Sequence, residues 1–129
     1  ASDVYKRQMR AHKIQKRCSA VGFDWTSLGP VLDKVHEELD EVMHEAQQAV
    51  VDEAKLEEEV GDLLFATVNL SRHLGVKAEV ALQKANLKFE RRFREVERIV
   101  AARGLEMTGV DLDTMEQVWQ EVKRQETDL

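Results

Sequence analysis

Disulfide chemistry within the chain is closed off, because Cys18 is its only cysteine. That usage is the cytoplasmic one, and a cytoplasmic protein is the expectation. Breakers are scarce too, with one proline and six glycines, so little interrupts long helices. Aromatic residues make up 5% of the chain against 34% charged, a mixture that favours helices with wide solvated faces over a sheet core. No apolar run approaches the roughly 20 residues that span a bilayer, and the N-terminus lacks the apolar segment of a signal peptide. No membrane partner is therefore expected. Also missing are alternating stretches that would demand a strand, internal repeats, low-complexity tracts, glycine-rich phosphate loops, His-Glu-x-x-His zinc motifs and nucleophile elbows. A basic excess is absent as well. The formal net charge is −6, whereas a protein that neutralises nucleic-acid backbones carries a positive balance, so no nucleic-acid partner is expected.

What remains is helix. At 129 residues the chain suits one domain with a modest core. The opening Ala1 to Gln8 is polar and unpatterned, and is expected to be a frayed or artificial end ahead of a domain over 9–129. A first helix is predicted from Met9 to Val21, with Ile14, Cys18 and Val21 as a narrow apolar stripe. After a loop at Phe23 to Ser27, Thr26 or Ser27 can cap a second helix, with Pro30 in its first turn, running to about Gln48. Its expected apolar face is Val35, Leu39, Val42, Met43 and Ala46. A third helix is expected from about Asp52 to Gly75, with Leu56, Val60, Leu63, Leu64 and Thr67 inward. Gly61 inside it either lets a helix or ligand come close or is a tolerated imperfection. The fourth, about Lys77 to Arg103, should bury Leu82, Ala85, Phe89, Phe93, Val96 and Val100, and Asp111 can cap a last helix reaching about Glu126.

Two acidic clusters stand out, Glu37-Glu38-Leu39-Asp40-Glu41 and Glu57 to Asp62. Within them Glu38 and Glu41, and likewise Glu59 and Asp62, lie three apart, which puts each pair on one helix face a single turn apart. Glu41 with Glu59 and Glu38 with Asp62 share one midpoint, Val50. If the chain folds back at 49–53, the four acids meet at one height on two antiparallel helices. Converging carboxylates repel unless a cation sits among them, and hard oxygen ligands suit Mg²⁺ or Mn²⁺ better than zinc. Either pair alone is also the usual dress of an exposed helix. The shared midpoint and the position beside apolar residues set these four apart.

Other candidates have plain alternatives. Lys84, Lys88 and Arg92 recur at four-residue intervals with Arg91 alongside, and can pair with surface acids or recognise phosphate. Trp119, with Lys123 one turn on, reads as core or as a stacking platform. Glu41-Val42-Met43-His44 matches one Glu-x-x-His element of di-iron bundles, but no second element accompanies it.

The residues Glu37-Glu38-x-x-Glu41 and Glu59-x-x-Asp62 resemble the signature of the all-α nucleoside triphosphate pyrophosphohydrolases of the MazG type. The likeness continues through Lys77-Ala78-Glu79, Ala85-Asn86-x-Lys88-Phe89-x-x-Arg92 and the stretch Glu116 to Arg124, covering nearly everything from Met9 onward. It is nearest to the C-terminal catalytic domain of two-domain bacterial members, which implies a further domain ahead of Ala1. The resemblance implies a four-helix-bundle-like all-α fold with an additional C-terminal helix. It also implies a homodimer in which that helix serves the neighbouring site. The implied activity is Mg²⁺-dependent hydrolysis of nucleoside triphosphates to monophosphate and pyrophosphate, for nucleotide-pool control or housecleaning, with Mn²⁺ as a possible substitute. Glu38, Glu41, Glu59 and Asp62 become metal ligands by the same likeness, Lys88 and Arg92 triphosphate contacts, and Trp119 and Lys123 nucleotide contacts. Water attack at the α-phosphorus follows, with Glu37 or Glu38 to take the proton. The competing reading is a catalytically silent helical dimerisation module with solvated acids.

Overall fold

The computed structural model describes residues 2–127, with side chains from Lys6 onward. Among them are five α-helices, α1 (Ser2–Ala20), α2 (Leu28–Ala46), α3 (Glu53–His73), α4 (Ala78–Ala102) and α5 (Leu112–Thr127), with a 3₁₀ turn at Met107–Gly109. No strand occurs among the described residues, so the all-α class holds. The chain forms two compact units, residues 1–81 and 82–129, and α4 begins in the first and continues in the second.

Local chemistry sets the helix limits. Residues 2–20 contain neither glycine nor proline, and α1 starts at Ser2, ahead of the Met9 at which its apolar spacing begins. Gly22 ends it at φ +88°, a conformation a Cβ would penalise, while the amides of Gly22 and Phe23 bond back to the carbonyls of Ser19 and Cys18 at 2.9 Å. Gly75 closes α3 in the same way at φ +73°. Ser27 holds the extended N-cap conformation of α2 without a side-chain bond, and Pro30 sits in the first turn, where its missing N–H is not needed. Asp52 caps α3 by accepting from the Lys55 amide at 3.2 Å, and Asp111 accepts from the Thr114 amide at 2.8 Å.

In the first unit α3 packs against both α1 and α2. The buried set there is unusually polar: Val31, Ala66 and Val68 share the interior with Gln15, Glu38, Glu45 and Asn69. This corrects the expected faces. On α2 the inward residues are Val31, Glu38 and Glu45, while Leu39 and Met43 are exposed. On α1 Gln15 is buried, Val21 lies just past its end and is exposed, and on α3 Leu64 is 62% exposed. A side chain added at Gly61 would meet nothing within 4 Å, so no neighbouring helix approaches that position.

In the second unit Val96, Ile99 and Val100 of α4 pack with Val118 and Val122 of α5, and Met107, Val110 and Trp119 close around them. Each fully buried valine there contributes roughly 1.5–3 kcal/mol. The expected buried face of α4 is right for Val96 and Val100 and wrong for Leu82, Phe89 and Phe93, which are exposed. Phe89 instead meets Phe93 and Trp119, at ring-centroid distances of 6.1 and 5.2 Å.

Candidate functional site

The α2–α3 hairpin carries the acidic pairs. The turn between Ala46 and Glu53 reverses the chain where the shared midpoint requires it. As a result Glu38, Glu59 and Asp62 each present a carboxylate oxygen, all within 4.8 Å of one another. Glu41 stands outside that tight set but close enough for its charge to act on Glu59. Three of the four expected acids therefore converge, and the fourth borders them.

Electrostatics marks this as a crowded cluster. Burial, and then the charges of Glu41, Asp62 and Glu38, hold the Glu59 carboxyl above its ordinary value. Two lysines that spacing analysis passed over relieve part of the repulsion. Lys34 Nζ lies 3.0 Å from Glu38 and 3.2 Å from Glu37, and those bonds hold its ammonium above the usual range. Lys55 Nζ lies 3.4 Å from the buried Glu45, which raises it likewise, with the charge of Glu59 adding to the effect. Their signal was present in the sequence: Lys34 precedes Glu37 and Glu38 by three and four residues. Hard carboxylates, mutual repulsion and a lysine substituting for positive charge together fit a divalent cation held by oxygen ligands.

A pocket of about 290 Å³ opens beside the acids, with Glu38, Asp62, Lys34, Trp25 and Asn69 in its wall. Trp25, Phe65 and Asn69 are shared with a neighbouring cavity of about 370 Å³ between α1, the Phe23–Trp25 loop and α3. An ionic network fixes that loop. Asp24 receives Arg72 Nη2 at 2.7 Å, pairs with His73 Nε2 at 2.8 Å and accepts the Trp25 amide at 2.8 Å. Burial alone would raise the Asp24 carboxyl, yet the bonds from Arg72 and His73 hold it well below the usual carboxylate range. His73 is thus engaged in structure, and His44, one turn after Glu41, is exposed and contacts only Gln48 among the hydrogen-bonding partners described.

The basic candidates lie on α4 and α5 in the second unit. Lys88 is exposed, whereas Arg92 is half-buried and bridges to Glu126 at 2.8 Å, with Arg91 reaching the same carboxylate at 3.4 Å. Arg92, followed by Arg91, holds Glu126 below its ordinary value. Trp119 is half-buried against the valine cluster and Phe89, and Lys123 is exposed.

Comparison with known proteins gives the family of the chain. The MazG nucleotide pyrophosphohydrolase domain matches residues 28–97, a span that contains all four acids together with Lys88 and Arg92. The chain is 84% identical over 121 residues to a nucleoside triphosphate pyrophosphohydrolase of Escherichia coli (strain K12), covering 94% of this chain and 46% of that protein. It is 42% identical over 113 residues to the nucleoside triphosphate pyrophosphohydrolase/pyrophosphatase MazG of Thermotoga maritima, covering 88% of this chain and 42% of that protein. The chain thus spans less than half the length of these relatives. None of its described helices is long and apolar enough to cross a membrane.

Proposed function

Since the chain belongs to the MazG nucleotide pyrophosphohydrolase domain family, we propose that it hydrolyses nucleoside triphosphates to nucleoside monophosphate and pyrophosphate, for control or cleansing of a cytoplasmic nucleotide pool. The observation that carries the reading is the meeting of Glu38, Glu59 and Asp62 oxygens within 4.8 Å at the edge of a pocket. Glu38, Glu59 and Asp62, with Glu41 beside them, are the ligands for Mg²⁺, or Mn²⁺ in its place. Such an ion supplies neutralising charge to the triphosphate and acidifies a bound water. Glu37, exposed and tied among the described residues to Lys34, and Glu38 are the two carboxylates available to take a proton from water attacking the α-phosphorus. Lys34, already on the pocket wall, lends positive charge on the same side. Lys88 and Arg92 bind the triphosphate, Arg92 exchanging Glu126 for phosphate oxygens, and Trp119 and Lys123 contact the nucleotide.

A homodimer belongs to this proposal, with α5 completing the neighbouring subunit's site. Supporting it are apolar side chains left exposed on α2 and α3, among them Leu39, Met43, Val60 and Leu64. A second copy of the chain is the occupant we assign to them.

Pyrophosphate release from ATP is the test. It should require Mg²⁺, stop with chelator, and fall about 100-fold or more in Glu41→Gln, since metal-based charge stabilisation is worth several kcal/mol. Turnover that survives both treatments rules out the metal mechanism, and no turnover with any nucleotide leaves a silent helical module.

A further inference from the structure

Asn69 of α3 is 7% exposed and lines both cavities of the first unit, the one of about 290 Å³ beside Glu38 and Asp62 and the one of about 370 Å³ at the Phe23–Trp25 loop. Its Oδ1 accepts from Arg72, through Nη2 at 2.9 Å and Nε at 3.3 Å. A guanidinium offers donors and no acceptor, so these bonds fix which end of the amide meets Arg72 and leave Nδ2 as the free end. Nδ2 donates to none of the described residues. It is nevertheless open. Among the described residues the one buried side-chain polar atom that is both closed to solvent and unbonded is Gln15 Oε1, so Nδ2, unbonded in a comparably buried residue, keeps accessible surface. The space that Asn69 borders is the two cavities, and an unpaired amide donor there calls for an acceptor.

Position tells what that acceptor is. The cavity beside Glu38 and Asp62 is the phosphate end of the proposed site, because a cation held by the acids neutralises phosphate. The other is walled by Ile14, Cys18, Phe23 and Trp25, apolar and aromatic surface that suits a nucleobase. Trp25, Phe65 and Asn69 belong to both walls. In a nucleotide the group between phosphates and base is the sugar, whose hydroxyl oxygens accept hydrogen bonds. Asn69 stands where that group has to pass.

We propose that Asn69 is a specificity-determining residue, its Nδ2 donating to a sugar hydroxyl oxygen of the bound nucleotide. The inference rests on the nucleotide activity proposed above and adds the residue that reads the sugar. Arg72 is the positioning residue. It holds the amide by Oδ1 and is itself held by Asp24 at 2.7 Å, so one network sets both the donor and the loop that carries Trp25. Because Asp24 binds Arg72 independently, removing the amide leaves that loop anchored.

The test compares ATP with dideoxy-ATP, which lacks both sugar hydroxyls, under Mg²⁺ in the wild type and in Asn69→Ala and Asn69→Leu. The readout is the ratio of kcat/KM for the two nucleotides, in which any loss of folded protein cancels. The wild type should favour ATP, and each variant should lower that preference about three- to tenfold, as expected for one hydrogen bond. A merely structural part for Asn69 lowers both rates alike and leaves the ratio where it was. That result in a folded variant overturns the assignment while leaving the pyrophosphohydrolase reading standing. So does a wild type that treats the two nucleotides alike, a measurement that needs no variant to fold. A wild type that cleaves neither nucleotide removes both readings.

Discussion

Glu59 shows most directly how a side chain reports its role. Its folded-state value lies above the unfolded one because burial and the charges of Glu41, Asp62 and Glu38 disfavour ionisation. Between those two values the folded state holds more protons than the unfolded, so stability falls as pH rises through that window. A divalent cation removes the repulsion. Mg²⁺ should therefore raise the thermal midpoint at neutral pH and have little effect well below the carboxylate range. Glu59→Gln should melt higher than the wild type without Mg²⁺ and respond less when it is added, as scanning calorimetry can test. Asp24 has the opposite sign. Its depressed carboxyl contributes stability that is complete above the ordinary carboxylate range and is lost as pH falls below about 4. Asp24→Asn should cost about 1–3 kcal/mol at neutral pH and flatten the acid limb of the stability curve, measured by urea unfolding at a series of pH values.

At the level of helices, the sequence located the elements better than their faces. Caps at Asp52 and Asp111 and the stop at Gly75 were readable because a short side chain or a missing Cβ acts locally. Helix orientation is a tertiary matter. On α2 the rule that apolar residues turn inward favoured Leu39 and Met43, yet the helix turns Glu38 and Glu45 toward α3. An acidic site between two helices takes the position a core would occupy, and its apolar stripe is left for another surface. The site itself was legible for Glu38, Glu59 and Asp62 because fixed spacing on two adjoining helices dictates where they meet. Lys34 could have been found from its spacing to Glu37 and Glu38, whereas Gln15 could not, since its bond to the Phe65 carbonyl depends on how α1 packs on α3. In the second unit the valine cluster joins α4 to α5, so Val118→Ala should lower stability by about 2 kcal/mol, read from the shift in denaturant midpoint.

Over the whole molecule, the proposed homodimer calls for self-association through a patch and not through general stickiness. The chain carries a net −6, which discourages indiscriminate contact, yet Leu39, Met43 and Leu64 remain uncovered. We expect light scattering to give twice the chain mass, and Leu39→Arg or Leu64→Arg to shift the protein toward monomer. A variant that stays dimeric would place the interface elsewhere.

The acids that meet beside the pocket belong to one hairpin, between positions 38 and 62, joined by the short turn after Ala46. Bringing them together therefore closes only a small loop, the least demanding kind of chain reversal in entropy. Rate measurements on mutants of this hairpin should accordingly find its contacts largely formed at the folding barrier, so that the acidic cluster exists before the slower parts of the chain have settled.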